Sequence, residues 1–300
     1  MAGQGTSILA SDYNAIQSTI ANILGAGSGT NGYGQAVSSS QVAVSNKITA
    51  VQWQNLRNDL LAVRQHQTGD DQSGYLTAIT TANLVREYDR AAFYAFAQLC
   101  ASPGQVNIIP PAGQYAPLTL STGTRNGSPW NTSLTHTVTL NFGTYDNARY
   151  FFNAGSVITF VASNLGAYDT NSKGTDWHNM LSNMGTITMS LNTTTRTGSG
   201  TAANIGYYQL TTSPQVLFTK SYEDSSYSPN KYEILGQVNG TGAIVTFTIN
   251  FKDDSGQPNA PWGTDELVYG DLTSLVQTNY ASGSNVSVSA YLPSVTSSGP

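Results

Sequence analysis

The sequence predicts an α+β protein: a small N-terminal helical region, residues 1–105, followed by a mainly antiparallel β-sandwich or jelly-roll-like body, residues 106–300. Three observations carry that prediction. Up to about residue 100 apolar residues recur at three- and four-residue spacing, beyond about residue 130 they alternate every second residue, and Pro103, Pro110, Pro111 and Pro117 punctuate the change between them. Short alternating segments separated by Gly, Asn and Ser turns favour a sandwich over a parallel α/β sheet.

Three amphipathic stretches make up the helical region. In the first, Ser11 is the expected cap, Tyr13, Ile16, Ile20, Ile23 and Leu24 form one stripe, and Gly25 is the stop. In the second, Thr49 and Gln52 have capping-box spacing ahead of Trp53, Leu56, Leu60 and Val63. In the third, Thr81 precedes Leu84, Val85, Tyr88, Ala92, Phe96 and Leu99, and Pro103-Gly104 ends the pattern. The stripes suit a small bundle. The Gly-rich connection from Gly25 to Asn46 is too long for an idle loop, so it is expected across the bundle or on a neighbouring subunit.

In the body, strands are expected at Thr135–Leu140, Val157–Val161, Thr186–Leu191, Val216–Thr219, Tyr232–Val238 and Ile244–Phe251, with a last one through Val286, Val288 and Ala290. Asn239-Gly240-Thr241-Gly242 reads as a hairpin turn. One helical island, Thr175 to Met184, interrupts them, capped by Thr175 and turning Trp177, Met180, Leu181 and Met184 to one face.

Composition narrows the function. Only 10% of residues are charged, against a typical quarter, so the polar surface is largely uncharged and suits permanent contacts with neighbours. Twelve Lys and Arg against 17 Asp and Glu, with no basic run, exclude nucleic acid as a partner. No apolar run approaches the roughly 20 residues of a membrane span, and the residues after Met1 do not form a secretory signal. The single Cys100 reads as a small buried hydrophobe.

Chemistry is sparse. His66, His136 and His178 share no metal-binding spacing, and Asp176 and His178 point to different helix faces. The acidic stretch from Asp253 through Asp254, Asp265 and Glu266 to Asp271 offers oxygen ligands for calcium but lacks EF-hand alternation, and solvated turn carboxylates are the plainer reading. The Gly25–Gly34 run follows no strand and precedes no Lys, so it fails the context of a phosphate loop. No catalytic residue, metal ligand or cofactor is assigned, and a non-enzyme is expected. The candidate contact residues are aromatics in loop-like segments, Trp130, Tyr145, Tyr168, Tyr227 and Trp262, which suit edge packing, a subunit interface or stacking on sugars.

Longer pieces of the sequence carry a family signal. "GYGQ", "QWQNLRNDL" and "RYFFNAG", followed in order by "GTDWHNMLSNMGTI", "IGYYQLTTS" and "TFTINFKDD", resemble virion structural, tail-fibre-like proteins of contractile-tailed phages that infect cyanobacteria and related marine bacteria. The resemblance spans nearly the whole chain and implies a location in the virion, other virion proteins as partners and a homo-oligomer, trimeric or hexameric. It carries no active-site residues. The expected function is a tail-associated or fibre-like appendage; the alternatives are a receptor-binding module for host-surface polysaccharide and a head or neck decoration protein. A depolymerase is disfavoured because no repeated β-helix pattern appears.

Overall fold

The computed structural model describes residues 8–81, 84–222, 227–255, 258–259 and 264–300. The fold is α+β, and the chain divides into two compact units. Met1–Ala116, Asp146–Ser156 and Tyr280–Leu292 build the first; Pro117–Tyr145, Val157–Asn279 and Pro293–Pro300 build the second. The helical unit thus runs past residue 105 and draws in two later segments.

In that unit α1 (Ala10–Leu24), α2 (Ala50–Thr68) and α3 (Glu87–Ala101) run parallel. Near their starts, the Tyr13 hydroxyl donates to the Gln52 carbonyl at 3.1 Å, and Trp53 sits edge-on between Tyr13 and Phe93 at 5.2 and 5.1 Å. Near their ends, Gln67 Nε2 donates to the Cys100 carbonyl at 2.8 Å. Parallel helices need connections that travel back along the bundle, which accounts for the long segment after Gly25. Asn14 exchanges two hydrogen bonds with the Val42 backbone, Gln17 donates to the Ser39 carbonyl, and the Asp59 carboxylate accepts from the Ser38 and Ser39 amides. The connection lies across its own bundle.

The capping box of α2 forms as the sequence predicts, with Gln52 N donating to Thr49 Oγ1 and Thr49 N to Gln52 Oε1. α1 differs: Asp12 accepts from the Leu9 amide, leaving Ser11 inside the helix. α3 also differs. It starts six residues after Thr81, with Asp89 accepting from the Arg86 amide, and buries Asp89, Phe93, Phe96, Ala97 and Cys100. Leu84, Tyr88 and Leu99 of the expected stripe are exposed. Phe93 packed on Trp53 fixes this register, one residue away from the count that began at Leu84.

The Gly25–Gly34 turn is built rather than loose. In α4 (Tyr145–Asn153), Asn153 Nδ2 donates to the Thr30 and Gly32 carbonyls and Arg149 donates to the Asn31 carbonyl. Gly34 has φ +70°, and a Cβ there would sit 2.5 Å from the Tyr150 ring, so only glycine fits.

The second unit is a sandwich of two antiparallel sheets. One has the order β1 (Tyr115–Arg125), β12 (Asp271–Ala281), β3 (Val157–Leu165), β4 (Ile187–Met189), β5 (Thr194–Arg196). The other runs β13 (Ser294–Ser298), β2 (Leu134–Asn141), β9 (Ile244–Lys252), β8 (Lys231–Val238), β7 (Gln215–Ser221), β6 (Thr201–Ala202). A small ribbon pairs β10 (Pro258–Asn259) with β11 (Thr264–Asp265). The sheets meet through apolar side chains, with Phe160 of β3 edge-on to Phe247 of β9 at 4.9 Å. The Asn239–Gly242 turn joins β8 and β9 as expected. The strand expected through Val286 and Val288 is instead one isolated bridge, Ser282 to Ser287, followed by a 3-10 turn at Ser289–Tyr291. Among the described residues no helix is long and apolar enough to cross a membrane.

Candidate functional site

The densest polar chemistry of the sandwich unit gathers around α5 (Ser172–Met184). Asn171 caps it, accepting from Gly174 N at 2.8 Å, whereas Thr175, the expected cap, lies within the first turn and donates back to the Asn171 carbonyl. The apolar face is the one the sequence predicts: Trp177, Met180, Leu181 and Met184 are buried. Trp177 packs on Trp130 at 4.9 Å and on Phe251 at 6.3 Å.

On the first turn, Lys173 is fully buried and places Nζ 2.7 Å from Asp253 Oδ2, also fully buried, and 2.8 Å from the Glu266 carbonyl. It thereby ties the end of β9 to the approach to β12. The next three carbonyls are taken in turn: Asn171 Nδ2 donates to Leu267, the Trp130 amide to Val268, and Asn164 Nδ2 to Tyr269. Four consecutive backbone acceptors are therefore satisfied by groups far apart in sequence, as buried backbone requires. The Tyr227 hydroxyl donates to Glu266 Oε2 at 2.5 Å; burial and then the carboxylate's hydrogen bond push its pKa up, so it stays protonated.

The candidate aromatics divide. Trp130 is only 3% exposed, so of its three readings packing stands and a ring open to a partner or a sugar does not; its backbone bridges Val268 and turns the indole inward onto Trp177. Tyr168 is half-buried and stacks flat on His178, 3.8 Å away at 6°. Tyr227 is half-buried and engaged with Glu266. These three meet around α5. Tyr145 stands elsewhere, 40% exposed at the start of α4, and Trp262 lies outside the described residues.

The histidines have separate settings. His178 Nδ1 lies 2.7 Å from the Asn164 carbonyl, so that nitrogen carries the proton. His136 is buried between the sheets, with Nε2 2.9 Å from Ser121 Oγ and Nδ1 2.9 Å from Ser274 Oγ. One nitrogen donates and the other accepts, and burial lowers its pKa. The order Ser–His–Ser superficially suggests a nucleophile, yet among the described residues both imidazole nitrogens meet serine hydroxyls rather than a carboxylate, and the groups face each other inside the sandwich. His66, in the helical unit, is buried against the Tyr33 ring at 5.0 Å. Burial drives its pKa down to about 4; the nearby Ala154 backbone, short of hydrogen-bond geometry, offsets part of that. Burial holds the Cys100 thiol at about 12, as suits a packing residue.

For calcium, the acidic stretch has other engagements: Asp253 pairs with Lys173, Glu266 accepts from Tyr227, and Asp271 accepts from Gly127 N at 2.8 Å. Among the described residues no group of three or more His, Cys, Asp or Glu is placed to hold a metal ion. Lys173, Asn164 and Asn171 escaped the sequence reading because their partners lie up to about a hundred residues away. Only the N-cap preference of Asn171 was a local signal, and Thr175 competed with it. Compared with protein-family models, with curated proteins and with solved structures, the chain has no match.

Proposed function

We propose that the chain is a non-enzymatic structural subunit of a tailed-phage particle, held on the tail apparatus as a fibre-like appendage among other virion proteins. The observation that carries this reading is the use made of its most reactive groups. Lys173 and Asp253 are sealed together, and the Lys173 ammonium braces the backbone that enters β12. A buried ammonium held between a carboxylate and a backbone carbonyl is a strut, whereas a catalytic amine would face a cleft. The sequence resemblance to virion proteins, the low charge and the lack of any basic run point the same way. Gold-labelled antibody on intact particles tests the location: label is expected on the tail, baseplate or neck, and dense label over every head facet would instead make the chain a decoration protein.

A second reading, a module for host-surface polysaccharide, is favoured by Tyr168, whose partly exposed ring is held in one orientation by His178. Sugar stacking needs such a fixed ring. Tyr168→Ala should then abolish glycan retention by the purified protein, and equal retention by both proteins removes this reading.

A further inference from the structure

Lys173 and Asp253 bring a primary amine and a carboxyl group together where water does not reach. Nζ lies 2.7 Å from Oδ2, and neither side chain has exposed surface. The contact has the length of an ion pair without the angles of a hydrogen bond, so movement of Nζ onto Cγ breaks no aligned bond. Aromatic rings wall the pair on one side. Trp177, one turn after Lys173 on α5, and Phe251, two residues before Asp253 on β9, pack at 6.3 Å; Trp130 lies 4.9 Å from the first and Tyr232 5.2 Å from the second. On the other side Nζ donates to the Glu266 carbonyl at 2.8 Å. More carboxylates gather there: burial first, then the Glu266 hydrogen bond, then the charges of Glu266, Asp176 and Asp253 raise the pKa of the Tyr227 hydroxyl.

We propose that Lys173 and Asp253 condense to an amide, a covalent bond between α5 and the chain leaving β9. One proton passes from the ammonium to the carboxylate, which leaves a neutral amine beside a neutral acid. Nζ then attacks Cγ and forms the new N–C bond. One Cγ–O bond breaks, and the hydroxyl leaves as water with a proton from the nitrogen, relayed by the neighbouring carboxylates. No oxidant, cofactor or outside substrate takes part. The reaction runs once per chain, so the product is a braced structural protein and not an enzyme that turns over.

Free amines and acids do not condense in water, where both are solvated ions and water is in excess. The fold changes both conditions. Intramolecular positioning supplies an effective concentration of up to about 10⁵–10⁸ M. Condensation also removes two charges whose burial is costly, while the amide N–H keeps the Glu266 carbonyl within reach as acceptor. A carboxylic acid is a weak electrophile, so the bond forms slowly compared with folding. The freshly folded chain holds the ion pair, and the amide accumulates from it. The link closes a loop of about 80 residues, from Lys173 to Asp253, and restricts the unfolded chain as a disulfide would. With one cysteine, the chain has no intrachain disulfide available for that purpose.

Intact-mass spectrometry of the full chain, freshly purified and after prolonged incubation, tests the bond. A species lighter by one water molecule should grow at the expense of the full-mass chain. Protease mapping should then yield one branched peptide that joins the segments carrying Lys173 and Asp253. Wild type kept in denaturant should hold its full mass, because only the fold brings the two groups together, and Asp253→Leu should hold it as well. A folded wild type that keeps its full mass overturns the proposal. So does a loss of water that maps to other residues, or one that proceeds equally in denaturant. None of these outcomes bears on where antibody falls on a particle.

Discussion

Two residues test the account of the interior most directly. Lys173→Met leaves the Asp253 carboxylate buried without its counter-charge, and loss of one partner of such a pair costs about 3–5 kcal/mol. The double variant Lys173→Met, Asp253→Leu removes both charges and should recover most of that loss in chemical denaturation; equal instability of the single and double variants would show the pair to be incidental. His66 titrates in the opposite sense to a salt-bridged histidine. Its folded pKa is depressed to about 4, so the neutral form is the folded one and its contribution is complete above the unfolded value near 6.5. That contribution falls as pH drops from 6.5 towards 4, by about 3 kcal/mol in all. Carboxylates such as Glu87 and Glu233, whose pKa values are lowered in the fold, weaken it over an acidic range too. The contrast with His66→Phe therefore isolates the imidazole: the variant should lose less stability between pH 7 and pH 4. From the sequence, Cys100 was legible as a buried hydrophobe because nothing near it activates a thiol. Lys173 was not, since a lysine in a polar helix start reads as solvent-facing until Asp253 is placed beside it.

Elements were legible where one period dominates a face. α2 shows this best, since its capping box and its Trp53–Leu56–Leu60–Val63 stripe are both local signals. Thr49→Ala should cost about 1 kcal/mol in thermal or chemical unfolding, and no measurable loss would mean the box is redundant with packing. The register of α3 was not legible. With apolar residues on both sides, the sequence permits two stripes, and only contact with Trp53 chooses the one through Phe93. β12 escaped notice for the converse reason. Its inward residues alternate as Leu272, Ser274, Val276 and Thr278, and the two hydroxyls, satisfied by His136 and by the Val157 carbonyl, hide a period of two behind polar letters. β1 is exposed along most of its first half, so it carries little inward pattern at all.

For the whole molecule, low charge has a measurable corollary. If the chain assembles with other copies or other proteins as proposed, so sparsely charged a surface should make that association nearly indifferent to ionic strength, changing by less than about three-fold between low and high salt, because screening acts only on charges. A ten-fold weakening in high salt would point to ion pairs instead. Composition and periodicity made the α+β class and the order of its halves legible. They could not reveal that the helical unit closes with Asp146–Ser156 and Tyr280–Leu292, since those contributions rest on contacts such as Asn153 with Gly32 and Tyr291 with Gly34. That threading sets a timetable. The helices leave the ribosome first, but the last segment of their unit, ending at Leu292, emerges roughly 180 residues after Ala116. At about 5–20 residues per second the nascent bundle waits on the order of ten seconds or more for its closing piece. Until that segment has emerged, neighbouring chains on one polysome hold helical units that lack it, side by side and unfinished.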